Sequence, residues 1–510
     1  MLDRFIFFIQ KIFSMGWIDL VKDFPKHDVE IEPLKESFIN FLYDRSILKF
    51  GNFKLKSGRR SPTFLNFGDV NDGEGISQLG NFYAEAILNY TSSDFKTIVG
   101  PAYKGIPLSV ATSSALASKG KNVGFTFDRK EEKSYGEATG ISKAEAAKKI
   151  FVGYIPKDDD TILLIDDVIT TGLTKDEEIQ KLKSVANVKM VGLIIGGNRQ
   201  ELDEDGNDAV RELEKRHNMP VYSMLNVITE AVPYLYAHEK IDENTKKRLI
   251  AYTRTYGVEE TKQWCRDLRL IEKDKGIIPA CDVPLDKFED IVKATKDIDK
   301  VVAYKIGFEA LADGLNNWVK TARKHTDKPI IYDHQKAMTD IPDTGKRFAE
   351  IIKNAGADAI IGFPLSGPST QLEWIHSAFE NDLEVLIGGE MTHPRFKKSE
   401  GGNIADETLV RTYVLGAKAG VNNFVVPGNK PDRIALYKSE IEKAVEGIKP
   451  SFYSPGLVAQ GGVISEATKV AGDRWYGIVG RGIYGDFEKL GRYFSEKEIR
   501  DAAFDHVSKL

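Results

Sequence analysis

KPIIYDHQKAMTDIP, residues 328–342, runs from an apolar stretch into an aspartate, a lysine and a second aspartate within eight residues. Charged side chains seldom crowd the end of a buried strand unless they pair or do chemistry. PIIYD (329–333) is one of eight such runs. The others are IIPACD (277–282), VVAYKIG (301–307), AIIGF (359–363), EVLIGGE (384–390), FVVPG (424–428), FYSPG (452–456) and YGIVGR (476–481). Each is followed by a segment long enough for a helix, and eight strand–helix units in roughly 235 residues are the arithmetic of a TIM (β/α)8 barrel. Functional groups of this fold gather at the C-terminal strand ends. The residues there are polar or glycine: Asp282, Lys305, Asp333, Glu390, Gly456 and Arg481.

Upstream of the barrel, residues 241–276 are charged, helical in pattern and without a buried-strand run, which sets a boundary between Gly257 and Lys275. A chain of 510 residues is too long for one core, so further domains are expected before that boundary. A formal charge of −5 leaves no general basic footprint and argues against nucleic acid as the main partner. Cys265 and Cys281 form neither a disulfide framework nor a zinc site, and the eight histidines contain no HExxH. FIFFIQKIF (5–13) is interrupted by Gln10 and Lys11 and is too short to span a bilayer. No small-residue cleavage site follows it, so it reads as an N-terminal extension and the protein as cytoplasmic. The terminal Ser508-Lys509-Leu510 matches a peroxisomal address, which has meaning only in a eukaryote.

TILLIDDVITTG (161–172) is an apolar strand, two adjacent acids and a small-residue turn, without the Gly-Lys-Ser/Thr of a Walker loop. Thr170, Thr171 and Gly172 let backbone N–H groups approach a phosphate, while Asp166 and Asp167 can accept from ribose hydroxyls. The motif resembles the phosphoribosyl pyrophosphate (PRPP) signature of type I phosphoribosyltransferases. FKLKSGRRSPTFLNFG, GPAYKGIPLSVAT, FDRKEEKSYGE and GNRQE resemble segments of orotate phosphoribosyltransferases and occur in the same order. The resemblance covers most of residues 40–257 and implies a doubly wound sheet with a flexible loop and a hood. It implies that Lys56 and Lys104 meet pyrophosphate and Arg199 meets orotate, with Arg129, Lys130 and the catalytic Lys133 on a loop that closes over PRPP. Mg²⁺ would accompany PRPP, and Asp166 and Asp167 would stabilise positive charge on the ribose. Tyr135 stands where that family has histidine two residues after the loop lysine.

The second half resembles orotidine 5′-monophosphate (OMP) decarboxylases over roughly residues 276–490, through ACD, YKIG, TDIPDTG, GGEMTHP, SPGLVAQGG and GRGIYG. The whole chain thus resembles the bifunctional UMP synthases, which convert orotate and PRPP to OMP and then OMP to UMP. The resemblance implies a cofactor-free array of Lys305, Asp333, Lys336 and Asp340. Lys336 would be the proton donor, and Asp340 would reach the neighbouring subunit's site in a homodimer or higher homo-oligomer. Substrate contacts are implied for Asp282, Thr344, Thr392, Gln460, Gly461, Gly462 and Arg481, with His393 structural. No protein-held metal, nucleic acid or membrane is implied.

The array is spaced Asp-x-x-Lys-x-x-x-Asp where the family has Asp-x-Lys-x-x-Asp. Residues three apart on a strand face opposite sides, so the chain must turn or bulge after Asp333. His334 and Gln335 remain less favoured site members. The domain expectation is an extension (1–35), a phosphoribosyltransferase (36–257), a helical linker (258–275) and a decarboxylase barrel (276–510). A PRPP-sensing domain without catalysis, joined to another sugar-phosphate barrel lyase, is the rival.

Overall fold

The computed structural model describes residues 31–55, 59–91, 94–129, 150–169, 173–203, 205–266, 268–334, 337–458 and 460–510. The chain divides into two compact units, Met1–Thr261 and Lys262–Leu510.

The first unit opens with an antiparallel hairpin of β1 (Leu48–Lys54) and β2 (Arg60–Leu65). Its main sheet contains β3 (Thr97–Val99), β4 (Gly124–Asp128), β5 (Phe151–Gly153), β6 (Thr161–Val168), β7 (Lys189–Gly197) and β8 (Val221–Ser223), in the order β5-β4-β3-β6-β7-β8. All neighbours are parallel except β5, which runs against β4. TILLI forms the centre because a parallel strand is covered on both faces and needs an unbroken apolar run. Ile162, Leu163, Leu164 and Ile165 are fully buried. From the β3–β6 pair the order runs outward both ways, so the crevice past their C-terminal ends is the switch point where such sheets bind ligands.

The second unit is a closed barrel. Its strands are β9 (Lys275–Cys281), β10 (Tyr304–Ile306), β11 (Ile330–Asp333), β12 (Ala359–Gly362), β13 (Glu384–Gly388), β14 (Asn423–Val425), β15 (Ser451–Ser454) and β16 (Trp475–Val479). Parallel pairing runs round the barrel and closes β16 on β9 through Trp475–Lys275 to Val479–Pro279. Alternate residues fill the interior, among them Ile278, Ala280, Ile331, Ile361, Leu386, Val425, Tyr453 and Ile478. All eight expected strands are present, with shifted ends. FVVPG and FYSPG stop before their prolines, which cannot donate to a ladder, and Gly456 turns the chain at φ 85°.

Between the two sets of strands lie a helix over Glu243–Tyr256, a short one over Glu259–Lys262 and a 3-10 turn over Gln263–Cys265. Both cysteines are buried, and neither forms a disulfide among the described residues. No helix of the described residues is long and apolar enough to cross a membrane.

Candidate active sites

At the switch point of the first unit, β6 delivers Asp166 and Asp167, each about 5–6% exposed. The turn after β3 delivers Lys104, the residue before the helix Gly105–Ser118. Gly100 and Gly105 make that turn possible: a Cβ on Gly100 would lie 2.0 Å from the Gly105 carbonyl oxygen. Lys104 Nζ meets Asp167 Oδ2 at 2.7 Å with half its side chain open to solvent. Asp166 is held on three sides. Lys175 Nζ pairs with Oδ2, the Asp167 N–H donates to Oδ1 (2.8 Å), and the Tyr83 hydroxyl donates to the Asp166 carbonyl (2.8 Å). Burial raises the Asp166 carboxyl above its ordinary value against the opposing pull of Lys175, and Asp167 adds to the rise.

Lys175 was not anticipated. It is buried in the first turn of the helix Leu173–Val185, where the helix dipole disfavours a cation, and that mismatch was the available signal. Arg199, on the loop after β7, is gripped by Glu201: Nη2 lies 2.8 Å from both carboxylate oxygens, and the Tyr252 hydroxyl donates to Oε2 at 3.0 Å. Arg129 donates its backbone N–H to Ile150 O at 2.8 Å, and its buried Nε has no hydrogen-bond partner among the described residues. Lys56, Lys130, Lys133, Tyr135, Thr170, Thr171 and Gly172 lie outside the described residues, as do Gln335 and Lys336 of the barrel.

In the barrel, three adjacent strands place Asp282, Lys305 and Asp333 together: Asp282 just past β9, Lys305 on β10 and Asp333 ending β11. Lys305 Nζ lies 3.0 Å from Asp333 Oδ2 and 3.3 Å from Asp282 Oδ1. Gly307 leaves the space, since a Cβ there would sit 2.4 Å from Asp282 Oδ1. Burial alone would lower the Lys305 ammonium, but Asp333 and Asp282 hold it above its usual range. The three residues line a cavity of about 290 Å³ together with Glu390, Thr392, Gly456, Gln460 and Arg481. Phe363, Met391 and Tyr484 complete its apolar wall and were not anticipated.

Gly461 and Gly462 do not line this cavity but build its edge: Gly462 N–H donates to Gly456 O at 3.1 Å and Gly461 N–H to Val458 O at 3.2 Å. Asp340 and Thr344 lie outside it. Asp340 is exposed and accepts the Ile341 N–H, and the Thr344 hydroxyl donates to Ile341 O. His334 Nδ1 lies 2.9 Å from the Tyr332 hydroxyl and its ring packs on Phe348, also off the cavity. β11 ends at Asp333, and Met338 takes a left-handed φ of 69° before the chain reaches Asp340.

Behind the cavity, Glu390 is fully buried. Its Oε1 accepts from Lys397 and Lys430 (2.9 Å each), and its Oε2 accepts from Arg433 (2.7 Å) and the Tyr437 hydroxyl. Burial would raise this carboxyl, but the donors from Tyr437, Arg433, Lys430 and Lys397 hold it down to about 2. The cluster anchors the segment carrying Thr392, whose carbonyl also accepts from Asn429 at 3.1 Å.

A doubly wound sheet with paired acids at its switch point and a closed barrel with a Lys–Asp array at its mouth define a chain built from two enzyme-type folds. The Phosphoribosyl transferase domain family matches residues 67–225, and the Orotidine 5′-phosphate decarboxylase / HUMPS family matches residues 275–490. An orotate phosphoribosyltransferase of Bifidobacterium adolescentis is 43% identical over 201 residues, covering 38% of this chain and 83% of that protein. One from Bifidobacterium longum is 40% identical over 238 residues, covering 44% of this chain and 99% of that one. The crystal structure of a Francisella tularensis orotate phosphoribosyltransferase is 34% identical and covers 43% of this chain and 99% of its own, with a TM-score of 0.37. The chain belongs to the orotate phosphoribosyltransferase family through its first unit and carries an orotidine 5′-phosphate decarboxylase domain in its second, the fused architecture of a bifunctional UMP synthase.

Proposed function

We propose that the chain runs two consecutive reactions: orotate and PRPP give OMP and pyrophosphate, and OMP gives UMP and CO₂ without a cofactor. The observation that carries this reading is Lys305 held between Asp282 and Asp333 at the mouth of a closed barrel.

In the first reaction the C1′–O bond to pyrophosphate breaks as the orotate nitrogen bonds to C1′. Asp166 and Asp167 sit where ribose hydroxyls and positive charge at C1′ would be met, and Lys104, with Lys56, faces the departing anion. Thr170, Thr171 and Gly172 supply N–H groups to the phosphate. Arg129, Lys130 and Lys133 close over it. Arg199 exchanges Glu201 for the orotate carboxylate. Mg²⁺ enters as part of the substrate, held by PRPP oxygens. No three ligating side chains cluster among the described residues, and the two aspartates already face lysines.

In the second reaction the C6–carboxylate bond breaks, CO₂ leaves, and Lys336 delivers a proton to the C6 carbanion. Asp333 lies beside the departing carboxylate and orients Lys336. Lys305 bridges Asp333 and Asp282, which takes the ribose hydroxyls. Gln460 and Arg481, on the loops after β15 and β16, meet the phosphate with Gly461 and Gly462, where this fold commonly binds one. Thr392 contacts the pyrimidine.

A second copy of the chain completes the barrel site. Asp340 and Thr344 point to it because they stand off their own cavity. Phe308, Leu311, Ile341 and Leu365, which follow three neighbouring strands at that end of the barrel, are 47–67% exposed.

The test is to incubate the purified chain with orotate, PRPP and Mg²⁺ and follow both nucleotides. UMP should form through transient OMP. EDTA should block OMP formation while leaving CO₂ release from added OMP intact; chelation that stops CO₂ release would favour a metal-dependent sugar-phosphate lyase.

A further inference from the structure

Glu178 lies on the helix Leu173–Val185, six residues past the DDVITTG turn, and is 1% exposed. Its carboxyl faces Asp128 at the end of β4 within hydrogen-bonding reach, Asp166 on β6, and Lys181 on its own helix, whose Nζ is 3.9 Å from Oε2. Oε1 is buried with no hydrogen-bond partner among the described residues. Both oxygens of Asp128 already accept a bond, Oδ1 from the Ala102 N–H at 2.8 Å and Oδ2 from Lys181 Nζ at 2.6 Å, and each keeps a second lone pair. Lys181 is 40% exposed, and Lys175, a buried ammonium, is committed to Asp166 and to Val168 O.

Three buried carboxyls, Asp128, Asp166 and Glu178, therefore share two ammonium groups. The surplus negative charge is removed if one carboxyl keeps its proton. Glu178 is the one without an ammonium at hydrogen-bonding distance. Burial, with Asp128 beside it, pushes its carboxyl up to about 8.

We propose that Glu178 is a positioning residue of the phosphoribosyl-transfer site: a neutral carboxyl that donates to Asp128 and, through the Asp128–Ala102 bond, holds the turn carrying Lys104. This rests on the PRPP site proposed above. Two carboxylates in contact repel, so ionised Glu178 pushes Asp128 off the Ala102 N–H and adds negative charge beside the site for a polyanion. Lys104 then loses its place against pyrophosphate.

The experiment measures the KM for PRPP in OMP synthesis by the full-length chain from pH 7 to pH 9. A single ionisation near pH 8 that abolishes binding raises KM about tenfold over that range. Glu178→Gln, which keeps a neutral donor, should hold the KM within about twofold over the same range, whereas Glu178→Ala should already show a raised KM at pH 7. Identical pH profiles for wild type and Glu178→Gln would overturn the proposal, as would a Glu178→Gln variant as impaired at pH 7 as Glu178→Ala. A wild-type chain that makes no OMP at pH 7 would instead overturn the functional reading beneath it.

Discussion

Replacing Lys305 by methionine keeps the length of the side chain and removes the charge between Asp282 and Asp333. At an effective dielectric near 20, the 3.0 Å contact with Asp333 is worth roughly 5 kcal/mol of attraction. The Asp282 contact is weaker, because that side chain is 42% exposed and screened by water. Desolvation of the ammonium offsets several kcal/mol, so the net stability of the array is small. Removal of one partner is different, since it takes away the ammonium that lies 3.0 Å from a carboxylate only 10% exposed, and such losses run to about 3–5 kcal/mol. For a unit of this size that lowers the melting temperature by roughly 6–20 °C. Asp333→Asn in the Lys305→Met background removes the buried negative charge that Lys305 faced and should recover part of the loss, although both variants fail to release CO₂ from OMP. Scanning calorimetry of the full-length chain reads both effects. A Lys305→Met chain melting like wild type, or a double variant no more stable than the single one, would refute the claim that Lys305 compensates a buried carboxylate.

Other outcomes follow from the same geometry. Glu390 titrates near 2 in the fold against an ordinary 4.5, so its stabilising contribution is complete above the ordinary value and is lost as pH falls through about 2. Glu390→Gln removes a counter-charge shared by Lys397, Lys430 and Arg433, although both lysines keep Glu400 at 3.1–3.2 Å, and acid-titration melts should show it destabilised by about 1–3 kcal/mol at neutral pH and insensitive to this titration. Lys104→Ala removes the ammonium from Asp167, whose side chain is only 7% exposed, so the fold should lose about 1–3 kcal/mol in urea titration. The KM for PRPP should still rise about tenfold or more, because a charge-assisted contact to the substrate is lost. Arg199→Ala should raise the KM for orotate by a similar ~tenfold factor and leave OMP decarboxylation untouched.

The barrel was legible because parallel strands covered on both faces read as unbroken apolar runs, and PIIYD and AIIGF differ from β11 and β12 by one residue at one end. The strand ends were less legible where proline and glycine extended an apolar run that could no longer pair, as in FVVPG and FYSPG. Asp282, Lys305 and Asp333 could be found because each lies at or next to the C-terminal end of an apolar run, and neighbouring strands bring such residues together without any sequence adjacency. Lys175, Glu178 and the partners of Glu390 were missed for the opposite reason. They are charged residues on helices or loops that read as solvated faces, and only packing against another element gives them partners. Asp340 and Thr344 were candidates through their motif alone, and their own chain turns them away from the cavity.

The central claim is that one chain holds two separable sites, with Lys336 the proton donor of the second. The most direct measurement supplies Lys336→Ala with orotate, PRPP and Mg²⁺ and quantifies OMP and UMP together. The account predicts OMP formed at close to the wild-type rate and accumulating without UMP. UMP appearing at the wild-type rate would contradict it.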